Sequence, residues 1–309
     1  MTSRVHLNEV APRDGLQIEP RWLPTADKIA LIDALSATGV AAVEATSFTS
    51  PKAIPNLADA HEVMAGIQRR AGVRYVALVP NQRGAEGALT GHADEINLVM
   101  SASDSHGLAN LRMTPWQSLE RFTPLVAMIR ERAPAVRINA SLSTAFGCPF
   151  DGAVPESRVL EIIDRLAALD VDGVTLCDTT GMANPRQVGA LCEAVIARYP
   201  MLTPTLHVHN TRGMGLANVL AGWQAGIHHF DAALGGLGGC PFAPGASGNV
   251  CSEDLVHMFE EMGVDTGVDL DALIRVAETL PDLLGHDVPG QVVKAGRGGR
   301  RYPLPPGIG

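Results

Sequence analysis

Eight short runs rich in β-branched and aliphatic residues recur along the chain, separated by stretches with helical spacing, and this alternation restricts the fold more than any other feature. The runs fall at about 5–10, 40–48, 73–79, 95–103, 135–144, 173–180, 202–211 and 228–236. Strands that alternate with helices call for a parallel sheet, because parallel neighbours need a crossover to bring the chain back to the same end. Apolar positions return every three or four residues over 25–38, 115–132, 155–169, 184–199 and 213–226, as in amphipathic helices. Eight such units predict an α/β fold, a closed (β/α)8 TIM barrel over about 5–236. An open doubly wound sheet is the alternative, but no GxGxxG follows the first strand, where a dinucleotide fold carries it. Further helix is expected over about 250–285 and an irregular Gly-, Arg- and Pro-rich tail over 296–309, all within one domain spanning 1–309.

Composition agrees with this reading. A chain of 309 residues suits one such barrel with insertions, and 46% hydrophobic against 18% charged residues describes a globular protein with a large core. A net charge of −9 argues against nucleic acid as a partner, since phosphate backbones need clustered cations. No apolar run reaches the roughly 20 residues of a membrane span. Five cysteines without CxxC spacing disfavour a disulfide framework or a zinc knuckle, so a cytoplasmic location is expected.

Polar residues collect at the C-terminal ends of the expected strands, the face on which such barrels place chemistry. Asp14, Glu44, Asp178, His207, His209 and the glycine-rich segment around Cys240 all fall there. His207 and His209 stand two apart on a strand, so they share a face and can share one ion; two hydrogen-bonded core histidines would look the same. Arg13 and Asp14 sit in a turn after the first strand, either as a surface ion pair or as functional groups in the barrel mouth. Glu44 lies in an otherwise apolar strand, where a carboxylate needs a partner unless the strand end is solvated. The run Gly235 to Asn249 is too rich in glycine for a regular element, and is expected to form a mobile loop carrying Cys240 either as a proton donor or as an inert thiol. Cys148, Cys177 and Cys192 read as core residues.

In combination and order, the motifs resemble a known family. Glu9-Val10-Ala11-Pro12-Arg13-Asp14-Gly15-Leu16-Gln17, Glu44-Ala45-Thr46-Ser47-Phe48, Phe146-Gly147-Cys148-Pro149, Asp178-Thr179-Thr180-Gly181, His207-Val208-His209-Asn210 and Gly235 through Asn249 are similar to those of the HMG-CoA lyases of the DRE-TIM metallolyase superfamily. The resemblance runs from about Val5 to Lys294. It implies that Asp14, His207, His209 and Asn249 bind a divalent metal, Mg2+ or Mn2+. It further implies that Arg13 faces the thioester carbonyl, that Glu44 is a second carboxylate near the metal, and that Cys240 is the loop thiol. Gln17, Ser47 and Thr179 are taken as further substrate contacts.

The activity so implied is cleavage of 3-hydroxy-3-methylglutaryl-CoA, or a close 3-hydroxyacyl-CoA analogue, to acetyl-CoA and a 3-keto acid, the step of leucine degradation that yields ketone bodies. Asp14 or Glu44 would take the hydroxyl proton, Arg13 would meet the enolate oxygen, and Cys240 would return a proton to carbon, with His207 as a possible relay. The partners expected are a small CoA thioester and further copies of this chain, as a homodimer or larger homo-oligomer. Two departures concern the acyl group. Ile18 and Pro20 follow Leu16-Gln17 where the family usually reads Asn-Glu, and His106 through Thr114 differs from the common Lys-Asn-Ile-Asn form. The rival readings are an acyltransferase of the isopropylmalate or homocitrate synthase type, an aldolase for free keto acids, and a noncatalytic barrel.

Overall fold

The computed structural model describes residues 4–239, 248–301 and 303. Eight parallel strands pair in chain order and close on themselves: β1 (His6–Glu9), β2 (Ala42–Ser47), β3 (Arg74–Val79), β4 (Glu95–Ser101), β5 (Arg137–Ser143), β6 (Gly173–Asp178), β7 (Thr203–Val208) and β8 (His229–Ala232). Closure comes from β1 lying against β8, in register from His6↔His229 to Glu9↔Ala232. Outside run α1 (Thr25–Ser36), α2 (Ala60–Gly66), α3 (Gln82–Thr90), α4 (Asp104–Leu111), α5 (Pro115–Arg132), α6 (Glu156–Ala167), α7 (Pro185–Arg198) and α8 (Gly215–Gln224). After β8 come α9 (Ser252–Glu261), α10 (Leu270–Ala277), α11 (Leu280–Leu284) and α12 (Val292–Ala295). The expected (β/α)8 barrel with extra C-terminal helices is therefore the observed fold. No helix among the described residues is long and apolar enough to cross a membrane.

The strands alternate in a way that decides where the core lies. Ile96, Leu98 and Met100 of β4, and Ile138, Ala140 and Leu142 of β5, are fully buried in the apolar layer shared with the helices. Asn97 of β4 and Asn139 and Ser141 of β5 lie between them and face the barrel axis, as the period of two requires of a strand with two different neighbours. Barrels of this kind usually fill the axis with branched aliphatics. Here Asn97, Asn139, Thr175, Thr205 and Asp231 line an interior cavity of about 190 Å3. Asn97 ties this layer together, accepting from Asn139 Nδ2 at 3.1 Å and Ser141 Oγ at 2.8 Å and donating to Glu44 Oε1 at 2.9 Å.

Three local features differ from the sequence expectation or refine it. The segment that begins at His106, where the chain departs from the family pattern, is helical as far as Leu111. His106 turns inward and its Nδ1 lies 2.6 Å from Ser101 Oγ, while Asp151 accepts the Ser105 amide at 3.2 Å, so tertiary contacts hold a helix that its composition does not favour. A register shift in β2 between Glu44 and Thr46, of the kind bulges introduce beside functional sites, re-aims that strand near its mouth end. The tail beyond Gly296 is irregular where described, yet Arg297 anchors it through Glu260 at 2.7 Å and Asp271 at 3.4 Å.

One buried ion pair joins the outer layer to the mouth. Lys28 of α1 is 1% exposed, and its Nζ donates to Asp59 Oδ1 at 2.8 Å and to the Asn56 carbonyl at 2.5 Å. Asn56 Nδ2 in turn donates to the carbonyl of Leu16 at 3.1 Å, so the pair reaches the segment that follows Asp14. Removing one member of such a pair leaves the other charge buried alone. Lys28→Ala should cost about 3–5 kcal/mol in urea unfolding; a loss below about 1 kcal/mol would show that Asp59 is solvated.

Candidate metal and active site

The turn after β1 is built on one carbonyl. Val10 O accepts amides from Arg13 at 3.2 Å, Asp14 at 2.7 Å and Gly15 at 3.3 Å, winding Ala11–Gly15 into a single wide helical turn. Pro12 fits its start because the first helical positions have no use for an N–H. Beneath it, buried Glu9 accepts the Ala11 amide at 2.8 Å, the Leu234 amide at 2.9 Å and the Ser252 hydroxyl at 2.6 Å, fixing the turn to the end of β8 and the start of α9. Burial pushes the Glu9 carboxyl up to about 7 even though those three donors oppose the shift.

This turn aims Asp14 at two histidines. Asp14, His207 and His209 are buried, and one donor atom of each lies within 4.8 Å of the others. The facing Nε2 atoms of His207 and His209 are 3.2 Å apart. His209 lies just past the end of β7 and is held by an antiparallel bridge to Asn249, with Asn210 N donating to Gly248 O and Val250 N to Val208 O, both at 3.0 Å. The bridge requires glycine at two places. A Cβ on Gly248, at φ +83°, would lie 2.5 Å from Gly236 O, and one on Gly238, at φ +103°, would lie 2.6 Å from Asn249 Nδ2.

Asn249 completes the arrangement. Its Nδ2 donates to Asp14 Oδ2 at 2.7 Å and to Leu237 O at 3.0 Å, while its Oδ1 is buried with no hydrogen-bond partner among the described residues. An orphan buried acceptor beside a carboxylate and two imidazoles is the kind of group a cation satisfies. One carboxylate oxygen, one amide oxygen and two imidazole nitrogens fit a divalent ion.

Charge is shared unevenly here. Burial alone would raise Asp14, but Arg13, the two histidines and Asn249 hold it down at about 2. Arg13 contacts Asp14 Oδ1 through Nη1 at 2.5 Å and Glu44 Oε2 through Nε at 2.7 Å and Nη2 at 2.6 Å. That leaves one N–H on each terminal nitrogen. Glu44 is raised, because burial outweighs Arg13 and the Asn97 amide. Burial lowers a histidine, yet His207 is raised because Asp231 bonds to it; His209, with no such carboxylate, is lowered by burial and by His207 to about 4. Asp178 is pushed up to about 6 by burial despite accepting the Met182 and Ala183 amides, and its Oδ2 has no partner among the described residues.

The structure thus brings Arg13, Asp14, Glu44, His207, His209 and Asn249 together, with Glu44 reaching Asp14 only through Arg13. Gln17 is seated against the same carboxylate, its Nε2 donating to Asp14 Oδ1 at 2.8 Å. Ser47 Oγ lies 2.5 Å from Thr49 Oγ1 at the end of β2, and Thr179 Oγ1 accepts the Thr144 amide at 2.9 Å after β6. Cys240 lies outside the described residues. Cys148, Cys177 and Cys192 are buried, as expected of core residues, although Cys177 pairs in register with His207 beside the site. Two residues were not singled out from sequence: Asp231, whose Oδ2 lies 3.2 Å from His207 Nδ1, and Asn97 behind Glu44. The only sequence signal for Asp231 was a lone acid in the apolar eighth run.

Fold and donor set together define a metal-binding (β/α)8 enzyme with its chemistry at the C-terminal ends of the strands. The chain belongs to the HMGL-like family, whose profile matches residues 4–280, and it is a carbon–carbon lyase. A hydroxymethylglutaryl-CoA lyase of Bacillus subtilis is 44% identical over 290 residues, covering 93% of this chain and 96% of its own. An (R)-citramalyl-CoA lyase of Chloroflexus aurantiacus is 44% identical over 302 residues, covering 94% and 95%. The solved structure of an HMG-CoA lyase from Acinetobacter baumannii, in complex with coenzyme A and 3-methylmalate, superposes with a TM-score of 0.94 at 52% identity, covering 99% of this chain and 100% of that one.

The two histidines set a pH response for the donor set. A protonated Nε2 cannot bind a metal, and His207, raised from 6.5, is the first of the pair to gain a proton as pH falls. Mn2+ affinity measured by electron paramagnetic resonance should therefore rise with pH up to a point above 6.5 and then level off. Constant affinity between pH 6 and 8 would remove His207 from the ligand set.

Proposed function

We propose that this lyase cleaves 3-hydroxy-3-methylglutaryl-CoA to acetyl-CoA and acetoacetate, with Mg2+ or Mn2+ held by Asp14, His207, His209 and Asn249. The observation that carries this reading is the bridge formed by Asp14: one oxygen on the Arg13 guanidinium, the other on Asn249 of the donor set. A permanent cation and a metal-binding cluster then sit side by side, which the two ends of the scissile bond require. The metal would supply Lewis-acid lowering of the hydroxyl pKa on the carbinol carbon.

The chain's own groups divide the remaining work. Glu44 is the better base of the two carboxylates, because a group raised by burial accepts a proton more readily than Asp14, held near 2. Arg13 keeps two N–H groups for the thioester oxygen, where charge collects as the carbon–carbon bond opens and the enolate forms. Cys240 returns the proton to the enolate carbon, an assignment resting on its place in the Gly-Gly-Cys-Pro run, and a proton donor there calls for a thiol that has not been ionised. Gln17 keeps Asp14 oriented, and the chain works as a homo-oligomer in the cytoplasm.

A second acyl group has support of its own. The citramalyl-CoA lyase relative and the 3-methylmalate bound in the Acinetobacter structure both involve a four-carbon hydroxy diacid backbone. Ile18, 41% exposed beside the Asp14 turn, and the 106–114 segment, helical as far as Leu111, are where this chain departs from the usual pattern. Incubating the Mg2+-loaded enzyme with each CoA ester, and scoring acetoacetate against pyruvate by chromatography, decides between the two. Release of acetyl-CoA from neither ester would overturn the proposal.

Arg13→Lys keeps a charge but loses the fork that holds Glu44 and Asp14 together. Loss of a donor that acts in the transition state is worth about 2.7–4 kcal/mol, so kcat should fall roughly 100- to 1000-fold with little change in KM. A variant altered only in KM would make Arg13 a binding residue.

A further inference from the structure

Among the described residues, three of the four metal-facing side chains are held by hydrogen bonds from outside the set of four, whereas the His209 ring is bonded only to His207 within it. Asp14 is fixed by Arg13, Gln17 and Asn249, and Asn249 also by Leu237. His207 is fixed from behind by Asp231 of β8, the residue directly across the β7–β8 ladder. His209 Nδ1 is buried and has no hydrogen-bond partner among the described residues.

A carboxylate only accepts hydrogen bonds, so the 3.2 Å contact to Asp231 Oδ2 puts the proton of a neutral His207 ring on Nδ1 and leaves Nε2 bare. The 3.2 Å contact between the two Nε2 atoms then needs the proton of His209 on its own Nε2. Binding an ion between the rings therefore demands a change of tautomer at one histidine only, and it is the one whose Nδ1 no described residue holds. The other oxygen of Asp231 is also in use, accepting from Asn8 Nδ2 at 3.0 Å, so the carboxylate cannot swing away from His207 without breaking a second bond.

We infer that Asp231 is a positioning residue that locks His207 in the Nδ1–H tautomer and so presents a ready lone pair to the metal, leaving His209 as the adjustable ligand. The inference rests on the metal-site reading above for its purpose, though the tautomer itself is a property of the metal-free protein. Carboxylate partners of this kind typically alter metal affinity by about 10- to 100-fold. Asp231→Ala should weaken Mn2+ binding by that factor. Asp231→Asn should weaken it less than tenfold, because its amide oxygen can still accept from His207 while its NH2 turns toward Asn8, whose Oδ1 is buried without a partner among the described residues.

Two measurements on the full-length chain test this. Imidazole 15N shifts of the metal-free protein report the tautomers: His207 should be Nδ1–H in the native protein and in Asp231→Asn, and should move toward Nε2–H or a mixture in Asp231→Ala. Calorimetric titration with Mn2+ alone should rank affinity as native, then Asp231→Asn, then Asp231→Ala, with His209→Ala losing binding. An Nε2–H tautomer at His207 in the native protein overturns the inference even if Asp231→Ala fails to fold. Native affinity in Asp231→Ala, with His209→Ala inactive in binding, overturns it as well. Undiminished Mn2+ binding in His209→Ala would instead displace the metal site, and the nitrogen shifts would still decide the role of Asp231.

Discussion

Asp14 carries its negative charge where water hardly reaches, and the rest of the mouth is arranged around that fact. A lone buried carboxylate would take up a proton to escape the cost of desolvation. Asp14 does not, because Arg13, His207, His209 and Asn249 all face it. They come from three parts of the chain: the turn itself, the end of β7, and the bridged segment at Asn249. The anion therefore acts as the point on which the two ends of the barrel agree, and Arg13 extends the same arrangement to Glu44 and, through Asn97, into the interior.

The interior is the second consequence of placing charge at the mouth. An axis packed with Leu and Ile could not support Glu44 or His207 from below, whereas amide and hydroxyl side chains can. The polar layer gains orientation at the expense of apolar packing, and stability has to come from the layer between strands and helices, where Ile96, Leu98, Ile138 and Leu142 are fully buried. Partly satisfied polar interiors are costly; here Asn97 and Asn139 satisfy each other and their neighbours.

How much of this was legible in the sequence depends on how local each feature is. The eight strands could be counted because apolar runs and helical spacing are short-range patterns, and His207 and His209 announced a shared face by their spacing alone. Arg13 and Asp14 were recognisable as a charged turn, but whether they pair on the surface or in the mouth depends on Glu44, 31 residues on from Arg13. Asn249 was reached only through family resemblance, since the bridge to His209 leaves no local trace. Asp231 could not be read at all: a single acid in an apolar run has meaning only once the register sets it opposite His207. The α4 helix was hidden for a similar reason, its order coming from contacts to Ser101 and Asp151 rather than from its own residues.

The closing pair of strands gives the site one more property. Asp14 follows β1, His207 and His209 lie at and just past the end of β7, and Asn249 arrives after β8, so the cluster straddles the seam where the first strand meets the last. A nascent chain has no access to these contacts until the segment bearing Asn249 has left the ribosome, by which time every strand of the barrel is already made. Until then Arg13 and Asp14 wait for more than two hundred residues of later sequence. Catalytic competence is thus delayed until assembly is nearly finished, and an ion seated there joins the earliest part of the barrel to be synthesised with the latest.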